Sequence, residues 1–329
     1  MQFRTTIEIK PFEQKIERSQ PILSLGSCFA SNVAERLSRA KFSITSSPTG
    51  ILFNPESIAS AIDRFDAVAR GDSGAMPIAE ELSYGNGRWF SFDFHSDFSR
   101  ADAAEALTVM REAVSVGAKA LAQAHTIIIT FGSAFVYRLL QSGKVVANCH
   151  KQPHANFARE MLSIEQIATR YIALLQGPLA SKRVLFTVSP VRHLADGLEQ
   201  NSLSKATLRV AIDRIIGACL NASYFPSYEI LMDELRDYRF YADDMAHPST
   251  LAVDYIWQRF GEVAFSTETL ALNKRIEQIV KASEHRPFDS QSEEYKRFCL
   301  AMHGRAEELE RECEYISLRD EKEFFNTYL

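Results

Sequence analysis

Pro21-Ile22-Leu23-Ser24-Leu25-Gly26-Ser27-Cys28-Phe29-Ala30 is the stretch from which the fold is read. Leu23 to Leu25 make a short apolar run suited to a buried strand. Phe29, Val33 and Leu37 then recur at helical spacing. Gly26, Ser27 and Cys28 therefore fall in a tight strand-to-helix turn. The free N–H groups and positive dipole end of a helix favour an anion, so a thiolate or an oxyanion would be stabilised there. The same residues also suit a plainer role, a serine N-cap followed by a small buried cysteine.

Working outward, strands and helices alternate. Lys41 to Thr45 reads as a second strand leading into Pro48 to Asn54, with a helix from about Ser57 to Val68. Thr126 to Phe131 is a β-branched run typical of a strand buried on both faces, and Val184 to Val188 is another. Between them Ser163 and Gln166 have capping-box spacing, Ile167, Tyr171 and Leu174 form an apolar stripe, and Gly177-Pro178 stops the helix. Leu208, Ile212, Ile215 and Cys219 make a similar stripe, and Tyr228 to Met232 supplies a fifth short strand. Repeated β-then-α units predict an α/β fold of three layers, with a central, mostly parallel sheet of about five strands between helices. Ligands in such sheets bind outside the carboxyl ends of the strands. Gly26 to Cys28, Pro48 to Asn54, Gly132 to Ala134 and Ser189 to His193 each follow a strand, so they are expected to converge.

Two stretches leave this pattern. Leu82 to Phe92 has the look of a hairpin around Gly85-Asn86-Gly87, followed by Phe94-His95-Ser96, an insertion around residues 80–100 placed to cover the site. From about Ser266 the strands stop. Phe298, Met302, Ala306, Leu309 and Cys313 line one face of a charged helix, and Pro287 to Ser290 links it to the helix before. The division expected is a main domain over 1–265 and a helical extension over 266–329, the latter suited to a homo-oligomer contact.

Composition sets mild bounds. In 329 residues, 46% hydrophobic and 24% charged with a net charge of −5, there is no basic excess to hold a phosphate backbone, so nucleic acid is not the expected partner. No apolar stretch has the length of a membrane span, and Met1 to Lys10 lacks the apolar centre of a secretory signal; the expected location is cytoplasmic. The five cysteines, Cys28, Cys149, Cys219, Cys299 and Cys313, are scattered without metal-ribbon spacing, as for reduced thiols. His150 and His154 lie four apart beside Cys149, but Pro153 argues against the helix that would align them, so no metal and no cofactor are expected.

Gly26-Ser27-Cys28-Phe29-Ala30 also resembles the signature of the GSCFA family, regarded as a distant branch of the SGNH (GDSL-like) hydrolases. Thr130 to Tyr137, Asn148-Cys149-His150-Lys151, Ser189 to His193, Tyr224 to Tyr228 and Asp244-Met245-Ala246-His247-Pro248-Ser249 look like further blocks of that family, in order. The resemblance implies an SGNH/flavodoxin-like fold and an acyl-ester hydrolase or acyltransferase acting on a small-molecule or glycan substrate. It makes His247 the general base and Asp244 its orienting group, with Asp243 a competing carboxylate. A gapless register puts Cys28 at the nucleophile position; a slip of one residue puts Ser27 there.

Oxyanion donors would be the backbone N–H groups of Cys28 and Gly50. The family asparagine expected after Gly132-Ser133 is replaced by Ala134, so Asn148, the Ser133 hydroxyl or Asn54 would take its role. His95, Lys151, Arg192 and His193 would add hydrogen-bonding or positive groups for the substrate. Two other readings fit the same residues. One is a binding or scaffold protein without turnover; the other is a thiol redox protein with Cys149 resolving Cys28.

Overall fold

Strand β1 (Ile22–Gly26) is buried along its whole length and delivers the chain into α1 (Cys28–Arg39). β2 (Ile44–Ser46) and α2 (Pro55–Ala69) follow, then a hairpin of β3 (Ser83–Gly85) and β4 (Arg88–Phe90). After α3 (Ala103–Gln123) come β5 (Thr126–Phe131), β6 (Phe135–Leu139), β7 (Val145–Val146) and β8 (Phe157–Met161). Next come α4 (Ile164–Gln176), β9 (Arg183–Val188), α5 (Leu198–Ala218), β10 (Ala222–Tyr224), the short α6 (Ser227–Glu229) and α7 (Thr250–Ala264). Three helices complete the chain: α8 (Thr267–Glu284), α9 (Glu293–Glu312) and α10 (Arg319–Asn326). This computed structural model describes residues 4–329; Met1, Gln2 and Phe3, the head of the stretch weighed above as a leader, lie outside the described residues.

The central sheet is parallel throughout, in the order β10-β9-β5-β1-β2. Counting only its own strands along the chain, that is the doubly wound order 2-1-3-4-5, which reverses between β1 and β5. Loops leaving those two strands part in opposite directions and open a crevice at their carboxyl ends. Successive side chains of a strand face opposite sides. Leu23, Leu25, Ile127, Ile129 and Phe186 enter the core shared with the buried faces of α2 to α5. Ile22, Ile128 and Leu185 meet Phe29 and Leu37 of α1 and Val253, Ile256 and Phe260 of α7. Each such side chain contributes about 1.5–3 kcal/mol on burial.

Gly26 decides how β1 ends. Its φ of +143° lies outside the range L side chains adopt readily, and an added Cβ would sit 2.8 Å from Thr130 Cβ on the paired strand. Only glycine lets β1 turn so close to β5.

Several details depart from the sequence reading. The fifth strand is Ala222–Tyr224, while residues 228–232 are helical: the Ser227 hydroxyl donates to the Val188 carbonyl at 2.7 Å and anchors a helical turn there. The second strand is Ile44–Ser46, later and shorter than expected. An antiparallel sheet in the order β7-β6-β8 branches from the end of β5 and was not anticipated. The hairpin turns through Asn86 (φ +52°) and Gly87 (φ +74°), the left-handed pair a tight two-residue hairpin requires.

The last three helices enclose a core of their own, with Ile276, Cys299, Leu309 and Phe325. Their link to the main domain falls on the end of α1. Arg39 donates to Glu284 (2.9 Å), and Lys41 donates to Glu321 at 2.7 and 3.0 Å. Among the described residues no helix is long and apolar enough to cross a membrane.

Candidate active site

Backbone hydrogen bonds stitch the strand-end loops to one another. The Leu52 N–H donates to the Gly26 carbonyl (3.0 Å), joining the loop after β2 to the end of β1. The Gly132 and Ser133 N–H groups both donate to the Phe53 carbonyl (2.7 and 3.0 Å), and the Ser189 N–H donates to that of Phe131 (2.8 Å). Gly132 is packed so closely that a Cβ on it would lie 2.7 Å from Phe53 Cβ and 3.3 Å from Ser27 Cβ. The turns after β1, β2, β5 and β9 thus meet at one crevice.

Ser27 occupies the N-cap position of α1, yet its hydroxyl caps nothing; it is buried and has no hydrogen-bond partner among the described residues. Its N–H donates to the Thr130 carbonyl at 3.2 Å. Cys28, the first helical residue, is partly accessible. Burial pushes its thiol above the ordinary value, and this outweighs the opposing pull of the Phe29 and Cys28 N–H groups and of the Lys205 ammonium; Asp244 adds to the rise. Desolvation therefore exceeds what the helix terminus returns, and the thiol is neutral at rest.

Asp244 and His247 belong to a compact loop. Asp244 Oδ1 accepts from the N–H groups of Ala246 and His247 (2.9 Å each), while Oδ2 lies 2.6 Å from His247 Nδ1. The two backbone donors, with the imidazole behind them, hold the Asp244 carboxyl down to about 2. An ionised carboxylate fixes the hydrogen on Nδ1 and leaves Nε2 as the acceptor. Met245 takes φ +55° to close this turn, Pro248 pairs back to Tyr241, and the Ser249 hydroxyl caps α7. The Arg192 N–H donates to the Ala246 carbonyl (3.0 Å), tying the loop to the turn after β9.

Arg192 itself stacks on Tyr241, 3.9 Å from the ring centroid, and no carboxylate pairs with it among the described residues. Next to it, His193 Nε2 lies 3.2 Å from the Gly132 carbonyl. Burial, and then the Lys205 charge, hold that imidazole to about 4, so it is neutral at pH 7 and donates through Nε2.

Other expected residues are engaged differently. Asn54 caps α2, accepting from the Ser57 N–H (2.8 Å) and donating to the Ser57 hydroxyl (2.9 Å), so its amide is spent on the helix. The Gly50 N–H donates to the Ser47 carbonyl (2.8 Å), closing its own turn. The Ser133 hydroxyl accepts from the Phe135 N–H and meets Ser204. Asn148 accepts from the His150 N–H at 2.7 Å, in a loop bonded to Phe92. Of the expected oxyanion donors, the Cys28 N–H at the start of α1 and the side-chain N–H groups of Asn148 are not spent on closing a turn or capping a helix among the described residues.

His95 packs over Gly50, with its N–H on the Thr49 carbonyl (3.1 Å), so the segment after the hairpin does reach a site loop. His150 is buried against Phe90, with Nε2 between the Ser91 and Phe94 carbonyls, while Lys151 is exposed. Sequence reasoning missed Lys205. Its Nζ donates to the carbonyls of Gly132 (2.6 Å) and Ser189 (2.8 Å) on the floor of the crevice.

The family model described as GSCFA family matches residues 21–260, and that of the GSCFA domain protein C-terminal domain matches 276–329. The chain belongs to the GSCFA family. The first GSCFA match takes in every strand of the central sheet and the Asp244–His247 loop; the second covers most of the three terminal helices. No curated protein matches the sequence.

Proposed function

We propose that this GSCFA protein is an SGNH-like acyl-ester hydrolase or acyltransferase that forms an acyl-enzyme on Cys28. The observation that carries the reading is an ionised Asp244 holding His247, in a loop bonded to the same crevice that receives Cys28. The accessible thiol and the enclosed Ser27 hydroxyl favour Cys28 over Ser27 as nucleophile.

Because the thiol is neutral at rest, attack needs a base. As Cys28 Sγ bonds to the substrate carbonyl carbon, its proton passes to His247 Nε2. The carbonyl oxygen becomes an oxyanion beside the N–H groups that open α1. Collapse breaks the ester C–O bond, and the imidazolium gives its proton to the departing alkoxide. Water or an acceptor hydroxyl then attacks the thioester, losing its proton to His247, and Cys28 leaves as the thiol. Arg192, unpaired and braced on Tyr241, together with His193, would contact the rest of a small-molecule or glycan ester. A free nucleophilic thiol suits a reducing compartment, and we assign the protein to the cytoplasm.

The test is acylation by p-nitrophenyl acetate, with the adduct mapped by mass spectrometry in wild type, Cys28→Ala, Ser27→Ala and His247→Ala. The reading expects a burst and an adduct on Cys28, both lost in Cys28→Ala and slowed in His247→Ala. An adduct on Ser27 would move the nucleophile by one residue. No adduct and no turnover with any ester would point to a binding protein instead.

A further inference from the structure

Lys205 is only 1% exposed, and α5 carries it inward rather than to solvent. A buried ammonium is costly unless something balances it. Two of its three N–H donors go to the carbonyls of Gly132 and Ser189, which lie just beyond the carboxyl ends of β5 and β9. Those carbonyls supply dipoles but no charge. No carboxylate pairs with Lys205 among the described residues.

Three titratable groups face it from neighbouring elements: Cys28 from the start of α1, His193 from the turn after β9, and the Tyr228 ring, 5.9 Å away, from α6. His193 is held neutral, and burial keeps the Tyr228 hydroxyl protonated. Of the three, Cys28 is the one that the proposed attack makes anionic, as its proton passes to His247. Geometry links the two groups through Gly132, whose carbonyl takes the Lys205 hydrogen bond at 2.6 Å and which packs on Ser27, next to Cys28, so closely that an added Cβ would lie 3.3 Å from Ser27 Cβ.

We propose that Lys205 is the charge-compensating residue of this site, a buried cation that balances the negative charge formed at Cys28 on deprotonation and attack. The inference rests on the reading of Cys28 as the nucleophile. Lys205 acts through position and through the charge of its protonated form, and the Cys28 proton goes to His247. Asp244, also near Cys28, opposes it, which is why the compensating charge belongs on the buried side.

The experiment is the pH profile of Cys28 alkylation, by iodoacetamide and by iodoacetate, in wild type, Lys205→Met and His247→Ala. Lys205→Met is expected to raise the half-point by about one pH unit, slowing iodoacetamide about tenfold at pH 7. It also lowers the iodoacetate-to-iodoacetamide rate ratio, because the anionic reagent loses its attraction; a purely structural tie between two carbonyls would not move that ratio. An unchanged profile and ratio in Lys205→Met, with His247→Ala still slower, overturns the role of Lys205 and spares the nucleophile. If neither variant alters Cys28, the nucleophile reading fails and takes this inference with it.

Should Lys205→Met not fold, wild-type protein with ¹³C-labelled lysine serves. Carboxymethylation of Cys28 should raise the Lys205 titration midpoint, and carboxamidomethylation should not. An equal midpoint in the two adducts overturns the proposal.

Discussion

The Asp244–His247 loop and the Gly132–Ser189–Lys205 floor both join the turn after β9 but are held by different means. In the loop, the Asp244 bonds reach only two or three residues along the chain, and both side chains stand about half exposed. On the floor, the bonds of Lys205 span 16 and 73 residues, and the side chain is sealed from solvent. A short stretch of chain can orient the base by itself, whereas placing a cation under the thiol takes the assembled sheet. Changes in the loop should therefore fall on chemistry alone, and changes in the floor on stability and its pH dependence as well.

His247→Ala puts the largest strain on this contrast. It should cut acyl transfer by about 10²–10⁴-fold, the usual worth of a general base, while urea unfolding stays within about 0.5 kcal/mol of wild type. A variant that unfolds instead would erase the distinction. Gly26→Ala is the converse, forcing a side chain against Thr130 at φ +143°; a stability loss of about 3 kcal/mol is expected by urea titration.

The next effect is in pH. Burial lowers Lys205 from its ordinary 10.5 to about 7, so between those values the folded protein binds fewer protons than the unfolded chain. Stability conferred at this position therefore rises with pH through that window, at about 1 kcal/mol per unit. Relative to Lys205→Met, wild type should gain about 2 kcal/mol between pH 7 and 9. A flat difference would mean the ammonium is solvated and the floor is not what it looks like. Smallest is Ser249→Ala, which removes the cap of α7 directly after the loop and should cost about 1 kcal/mol with the acylation rate little changed; a large rate loss would show that the loop depends on the helix behind it.

The same contrast explains what could be read in advance. β1, β5 and β9 are continuous apolar runs ended by Gly or Ser-Pro, so their number and order of use follow from the residues themselves. Asp244 and His247 were legible because their geometry is local. Lys205 was not, although a signal existed: the stripe of Leu208, Ile212 and Ile215 continues backward through Asn201, Ser204 and Lys205, all buried. Polar residues on a core-facing stripe look like a helix leaving the core until the floor that receives them is known. Asn54 is one of three alternatives for the oxyanion role in the sequence, but Asn54-Pro55 is itself a helix-start signature, with proline in the first turn. Residues 228–232 form a mostly apolar run too short to separate a strand from a helical turn, and the carbonyl that anchors Ser227 belongs to Val188 on β9.

The pairing of Arg39 and Lys41 with Glu284 and Glu321 gives α1 a mechanical character. One end of this 12-residue rod, about 18 Å long, carries the thiol; the other is bolted to the terminal helices. One continuous element thus joins the first residue of the proposed site to the separate core of the terminal helices, with Phe29 and Leu37 seating it on the sheet between them.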